Sequence, residues 1–257
     1  LIMKLSINLN KVALLRNSRG SDYPSLEKYA HMAISLGVDG LTLHPRPDHR
    51  HATSQDALAV SKICKDSNVE FNLEGNPFTE PSNNFFGFSE LCKKTMPHQV
   101  TLVPDKQGQL TSDAGWPTDY KENKLSKFLS QIKEMGLRTS LFIDATVEAV
   151  EFAATTGVDR VEIYTGPFAK ACAADSADLP KMLEVFTHVI SRARELNLGV
   201  NAGHDLDIFN LSILQKCGKI DEVSIGHAII AESLQDGFAN TITNYLNATK
   251  ESQSNVS

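Results

Sequence analysis

Eight short runs of aliphatic and β-branched residues recur along the chain, and each is followed by a stretch with helical spacing. The runs fall at residues 4–9, 40–44, 69–74, 99–103, 138–143, 160–164, 198–201 and 222–225. The helical stretches fall at 24–37, 54–66, 84–95, 121–135, 147–156, 180–195, 208–216 and 228–247. Alternation of strand and helix implies parallel pairing, because each crossover returns the chain to the same end of the sheet. Eight such units predict closure into a (β/α)8 TIM barrel. The competing fold is an open doubly wound sheet. It normally carries a glycine-rich phosphate loop after its first strand, and Asn8-Leu9-Asn10-Lys11 is not one.

A length of 257 residues suits one such barrel, spanning 1–257. Residues 1–3 read as a start remnant and 249–257 as a polar, disordered tail. Pro24 suits a first helical turn and Gly37 a helix stop. The segments 10–20 and 169–178 read as loops. A longer loop, 105–118, is rich in Gly, Pro, Ser, Thr and Asp and holds Trp116, the only tryptophan. Loops of that length in compact domains serve function or motion, so it is a candidate lid.

The second strand feeds the most reactive stretch, His44-Pro45-Arg46-Pro47-Asp48-His49-Arg50-His51. Two prolines end the strand, and the loop beyond combines imidazoles with guanidinium groups. That mixture suits a phosphorylated substrate that also needs proton transfer, although prolines and charges are equally ordinary in an exposed loop. Barrel chemistry sits at the C-terminal ends of the strands. Asn8, His44, Glu74, Glu162, His204 and His227 all fall at or near such ends, with Lys11 close behind Asn8. Glu162 lies between Val161 and Ile163, so strand alternation turns it to the opposite side, into the barrel. A carboxylate there is costly unless it is paired or used. Asp144 fits a helix N-cap as well as a site residue. His31 and His188 fall on helices and His98 precedes a strand, so none of these three is given a role.

Gly203-His204 and Gly226-His227 form a matched pair after the seventh and eighth strands. Glycine lets backbone N–H groups approach an anion, and a helix begins directly after His227. Phosphate binding and a plain strand-to-helix turn are the two readings. His44, Glu74, Glu162 and His204 also have the side chains of a metal site. The abundant Arg and Lys oppose a cation, and no H-x-H pair sits at a strand end, so no metal is expected.

The formal net charge of −6 opposes general nucleic-acid binding. The four cysteines are scattered with no C-x-x-C pair, which fits a reducing cytoplasm rather than a disulfide framework or zinc site. No apolar run approaches membrane-spanning length, and Met3-Lys4 leads directly into a strand with no signal peptide before it.

Taken together, several motifs resemble the pyridoxine 5′-phosphate synthase family. They are Val38-Asp-Gly-Leu-Thr-Leu-His44-Pro-Arg46 with His51, Phe71-Asn-Leu-Glu74, Leu102-Val-Pro104, Ser140-Leu-Phe-Ile-Asp144, Glu162-Ile-Tyr-Thr-Gly166, Val200-Asn-Ala-Gly-His204 and Ile225-Gly-His-Ala-Ile-Ile230. The resemblance runs from Leu5 to about Leu246. It implies a (β/α)8 barrel with additional helices, a homo-octamer, and no cofactor. It also implies two phosphorylated substrates, 1-deoxy-D-xylulose 5-phosphate and 3-amino-2-oxopropyl phosphate, condensed to pyridoxine 5′-phosphate, phosphate and water.

By matching positions, the resemblance makes His44 and Glu74 proton acceptors, His204 a proton donor and Glu162 a transition-state stabiliser. It places Asn8 and the Gly203-His204 turn on the aminoketone phosphate. Arg19, Arg46, His51 and Thr111 match substrate-binding positions, mainly for the ketose phosphate, and Gly226 with His227 matches a phosphate-contacting pair. Two departures stand out. Many members carry Asp-His where this chain has Asn10-Lys11, and Lys11 cannot act as a neutral acceptor as His can. Asp205 stands where glycine is common, and a carboxylate beside a phosphate is expected to turn away or cap the next helix.

Overall fold

The computed structural model describes residues 3–106, 108–121 and 123–251. In chain order the elements are β1 (Lys4–Asn8), α1 (Asn10–Asn17), α2 (Leu26–Ser35), β2 (Gly40–Leu43), α3 (Ser54–Ser67), β3 (Glu70–Gly75), α4 (Phe88–Thr95), β4 (Gln99–Leu102), α5 (Lys124–Glu134), β5 (Arg138–Ile143), α6 (Val147–Thr156), β6 (Arg160–Tyr164), α7 (Gly166–Ala173), α8 (Leu179–Glu195), β7 (Gly199–Gly203), α9 (Ile208–Leu214), β8 (Glu222–Ile225), α10 (His227–Asp236) and α11 (Phe238–Glu251). Every strand pairs in parallel with its sequence neighbours, and β8 closes onto β1 with Lys4 opposite Glu222. This is the (β/α)8 barrel expected from the alternation, with extra helices.

Period-two patterning sorts the strand residues. Leu5, Ile7, Leu41, Leu43, Val161 and Ile163 point to the helices and are fully buried in the main apolar cluster. Their alternates meet across the barrel axis: Gln99 on β4 bonds Asn201 on β7 and Glu222 on β8, strands that are not neighbours. The barrel interior is therefore polar, and its lower half is held by hydrogen bonds and ion pairs rather than by the usual layers of aliphatic side chains.

Local signals fix the helix starts. Thr53 and Asp56 form a reciprocal capping box on α3, and Asp207 with Asn210 does the same for α9. Three sequence expectations change. Residues 10–17 form a helix rather than a loop, with Val12 and Ala13 buried, because β1 turns straight into a run of good helix formers. Residues 166–173 form α7, with Pro167 in its first turn and Phe168 and Cys172 buried. The last helix is two, broken at Gly237, whose positive φ of 78° suits glycine. The chain ends also differ from expectation. Met3, grouped with the start remnant, packs in the core, and α11 runs on so that Thr249 is buried. Residues 1, 2 and 252–257 lie outside the described residues. No described helix is long and apolar enough to cross a membrane.

Candidate active site

β2 delivers His44 to the C-terminal mouth. Its backbone N–H donates to the Asn10 side-chain oxygen at 3.0 Å, and Asn10 N in turn donates to Asn8 Oδ1 at 3.0 Å. Asn10 is thus engaged with the backbone that carries His44. The His44 ring lies between two carboxyl groups, Nδ1 at 3.9 Å from Glu74 Oε2 and Nε2 at 3.9 Å from Asp105 Oδ2. Burial, helped by Arg46, His51 and Arg50, holds His44 well below the usual imidazole range, so the ring is neutral. Burial, with Arg46, Arg50 and Lys11 nearby, also drives His51 down to about 3. His51 Nδ1 accepts from Ala52 N at 2.9 Å.

Glu74 is buried on β3. Burial, the neighbouring Glu162 and Asp105 raise its carboxyl well above the ordinary range. Asn72 Nδ2 is 3.4 Å from Glu74 Oε1. A Cβ at the adjacent Gly75 would overlap the Phe88 ring, so only glycine fits behind the site. Glu162 points inward from β6 as its alternation requires, and burial followed by repulsion from Glu222 pushes it up to about 8. A Cβ at Gly203 would overlap Glu162 Oε1, which explains the glycine at the end of β7 by the carboxyl it admits.

His204 and Asp205 follow with consecutive positive φ values of 87° and 54°. This turn is held by Thr165 Oγ1, which donates to the Gly203 carbonyl at 2.7 Å and also contacts that of His204. His204 Nε2 and Thr111 Oγ1 are 2.7 Å apart, and its Nδ1 is 3.1 Å from Asp205 Oδ2. Asp207 caps α9, so Asp205 is not the cap; it turns to His204 instead. Across the mouth, a Cβ at Gly226 would come within 3.0 Å of Asn8 Cβ and O, and α10 starts at an exposed His227.

The 105–118 loop folds over this rim. Arg46 pairs with Asp105 and donates to the Gln109 carbonyl at 2.8 Å. Arg50 donates to the carbonyls of Gln109 and Leu110 at 2.9 and 2.8 Å. Trp116 Nε1 anchors the loop on the Leu102 carbonyl at 2.9 Å. Asp144 accepts from Gly115 N at 2.9 Å, while Thr146 caps α6, so Asp144 ties down this loop and is not the helix cap. A cavity of about 780 Å³ opens beside His44, lined by Arg46, Arg50, Asn76, Phe78 and Asp105 among others.

The structure brings together His44, Glu74 and Glu162, with Arg46, His51, Asn8 and Asn10 around them, and His204 with Thr111 over the loop. Lys11 lies in the first turn of α1, partly exposed beside His51. Arg19 is different: it stands exposed beyond α1, with no side-chain hydrogen bond or ion pair among the described residues. Sequence reasoning passed over Asp105, whose only local signal is that it follows the Val103-Pro104 strand end. Among the described residues no three His, Cys, Asp or Glu side chains converge as a metal site. Among the described residues the only lysine on a strand, Lys4, sits at the far end of the barrel bonded to Glu70.

Residues 5–251 match the family described as pyridoxal phosphate biosynthesis protein PdxJ. The chain belongs to this family. Among PdxJ relatives, the pyridoxine 5′-phosphate synthase of Xanthomonas axonopodis pv. citri is 45% identical over 244 residues, covering 95% of each chain. That of Xylella fastidiosa strain 9a5c is 45% identical, covering 95% of this chain and 93% of its own. Solved structures share the fold at much lower identity. Thiamine phosphate pyrophosphorylase from Pyrococcus furiosus superposes with a TM-score of 0.63 at 10% identity, covering 98% and 97% of the two chains. Tryptophan synthase of Mycobacterium tuberculosis gives 0.65 at 12%, covering 97% and 93%. The PdxJ barrel thus shares its architecture with these proteins and its sequence with the synthases.

Proposed function

We propose that this chain is a pyridoxine 5′-phosphate synthase that condenses 1-deoxy-D-xylulose 5-phosphate with 3-amino-2-oxopropyl phosphate by acid–base catalysis. The observation that carries the reading is the pairing at one barrel mouth of His44, held well below the usual imidazole range, with Glu74, held well above the usual carboxyl range. A ring-closing condensation needs protons taken from carbon and delivered to departing oxygens in sequence. Groups whose surroundings push their proton affinities in opposite directions can divide that work. His44 and Glu74 act as the proton acceptors, Glu74 after giving up its own proton, and His204 as the donor. Glu162, neutral at pH 7, donates a hydrogen bond to charge that develops on oxygen. Arg46 with His51 takes the ketose phosphate. Asn8, the Gly203-His204 turn, Gly226 and His227 take the aminoketone phosphate, aided by the N-terminus of α10. Arg19 and Lys11 complete the ketose site, and Thr111 closes over it with the 105–118 loop as a lid. None of these steps needs a cofactor. The chain acts in the cytoplasm as a homo-octamer.

Chelator-treated protein with both substrates should give pyridoxine 5′-phosphate and phosphate in equal amounts, and Glu74→Gln should give neither. Phosphate without the pyridine, or neither product from the unsubstituted protein, would refute the reading.

A further inference from the structure

Asp105 is a buried carboxylate for which the mechanism above has no use. It follows β4, and its backbone carbonyl accepts from Asn76 Nδ2 at 2.8 Å. One oxygen, Oδ2, pairs with Arg46 and accepts from Ser112 Oγ at 2.8 Å. The same oxygen faces His44 Nε2 at 3.9 Å. The other oxygen, Oδ1, is buried without a hydrogen-bond partner. A buried acceptor left unpaired in this way calls for an explanation beyond packing.

We propose that Asp105 is a positioning residue that sets the tautomer of His44, keeping the proton on Nε2 and leaving the Nδ1 lone pair toward Glu74. At 3.9 Å on either side of the ring neither contact is a hydrogen bond, so the field across the imidazole decides which nitrogen carries the proton. Burial raises the Asp105 carboxyl, and the Arg46 guanidinium in contact with it and the Ser112 hydroxyl oppose that rise by favouring the ionised form. Glu74 has no such cation in contact among the described residues, and burial with the neighbouring Glu162 and Asp105 raises its carboxyl well above the ordinary range. The charged groups facing the ring are Glu74 from β3, Asp105 from the loop after β4, and Arg46, Arg50 and His51 from its own loop. Asp105, paired with Arg46, is the carboxyl that faces Nε2. An N–H dipole aimed at its ionised form is favoured, and the lone pair then falls on Nδ1. Nδ1, the ring nitrogen facing Glu74 Oε2, is then the one free to accept a proton.

This deepens the proposed function and rests on it, but it has a readout of its own. Nitrogen-15 NMR of the His44 ring in the full chain should show the Nε2–H tautomer. Asp105→Asn should lose that preference, whereas Ser112→Ala, which keeps the charge, should retain it. In turnover, Asp105→Asn should lower kcat about tenfold, with KM for the ketose phosphate within about twofold. An Nδ1–H tautomer in the unsubstituted protein, or an unchanged tautomer in Asp105→Asn, would overturn the proposal. So would a raised KM with unchanged kcat, which would assign Asp105 to Arg46 alone. The spectrum of the unsubstituted protein decides even if the variant does not fold. Absent turnover with the Nε2–H tautomer in place would count against the synthase reading and not against the tautomer.

Discussion

The two ends of the barrel interior are both charged and behave in opposite ways. At the N-terminal end Glu70 bonds Lys4 and Arg138, while Glu222 lies 3.5 Å from Arg160 and 3.7 Å from Arg138. Burial raises Glu70, but the bonds from Arg138 and Lys4 outweigh it and bring the carboxyl down to about 2. At the C-terminal end Glu74 and Glu162 have no cation in contact, and both are raised. Glu70 is only partly buried and is hydrogen-bonded to its cations, whereas burial raises Glu74, Glu162 and also Glu222, the last despite Arg160 and Arg138. The ends differ in ion pairing, with arginines and a lysine against Glu70 and Glu222 and none in contact with Glu74 or Glu162 among the described residues.

The largest effect should come from removing a titrating group at the chemical end. Glu74→Gln should lower kcat by about 10³-fold while leaving the melting temperature unchanged or higher, because a buried carboxyl becomes an amide. A large loss of stability instead would mean that the upper end is also a brace. Next in size is the reverse experiment. Glu222→Ala leaves Arg160 and Arg138 without their shared partner and should destabilise the fold by about 3 kcal/mol in denaturant titration, with kcat within about threefold. A stability change below about 1 kcal/mol would erase the contrast between the two ends.

The smallest effects separate the ends by pH. Glu162 is raised from 4.5 to about 8, so between those values the folded chain holds a proton that the unfolded chain has lost. Stability from this group is present below pH 4.5 and falls as pH rises toward 8, at a slope of at most about 1.4 kcal/mol per pH unit. Glu162→Gln should flatten that decline. Glu70 is depressed to about 2, so its contribution is present above pH 4.5 and is lost as pH falls toward 2. Glu70→Gln should therefore weaken the fold at pH 6 but little at pH 2. Chemical denaturation across pH reads both slopes, and slopes of the same sign would break the comparison.

Much of this was legible before the fold was known. Strand alternation placed Glu162 inside the barrel, and the strand-end rule collected His44, Glu74 and His204 at one mouth. Helices α1 and α7 were less legible, since α1 is a short run bounded by Asn at both ends, α7 opens on Gly-Pro, and both are stabilised by what they pack against. Asp105 was not legible at all. It looks like any acid after a proline until the barrel sets it against Arg46 and His44.

The sequence by itself determined the architecture and the rim at which the candidate site residues gather, because backbone periodicity assigns each side chain a face and strand direction assigns it an end. Only the tertiary structure decided which groups meet. Thr111 reaches His204 across 93 residues, and Arg46 reaches Asp105 across 59. Whether a carboxyl is a brace or an acid depends on those meetings, since its charge is governed by burial and by the nearest cation, and both are properties of closed space rather than of order along the chain.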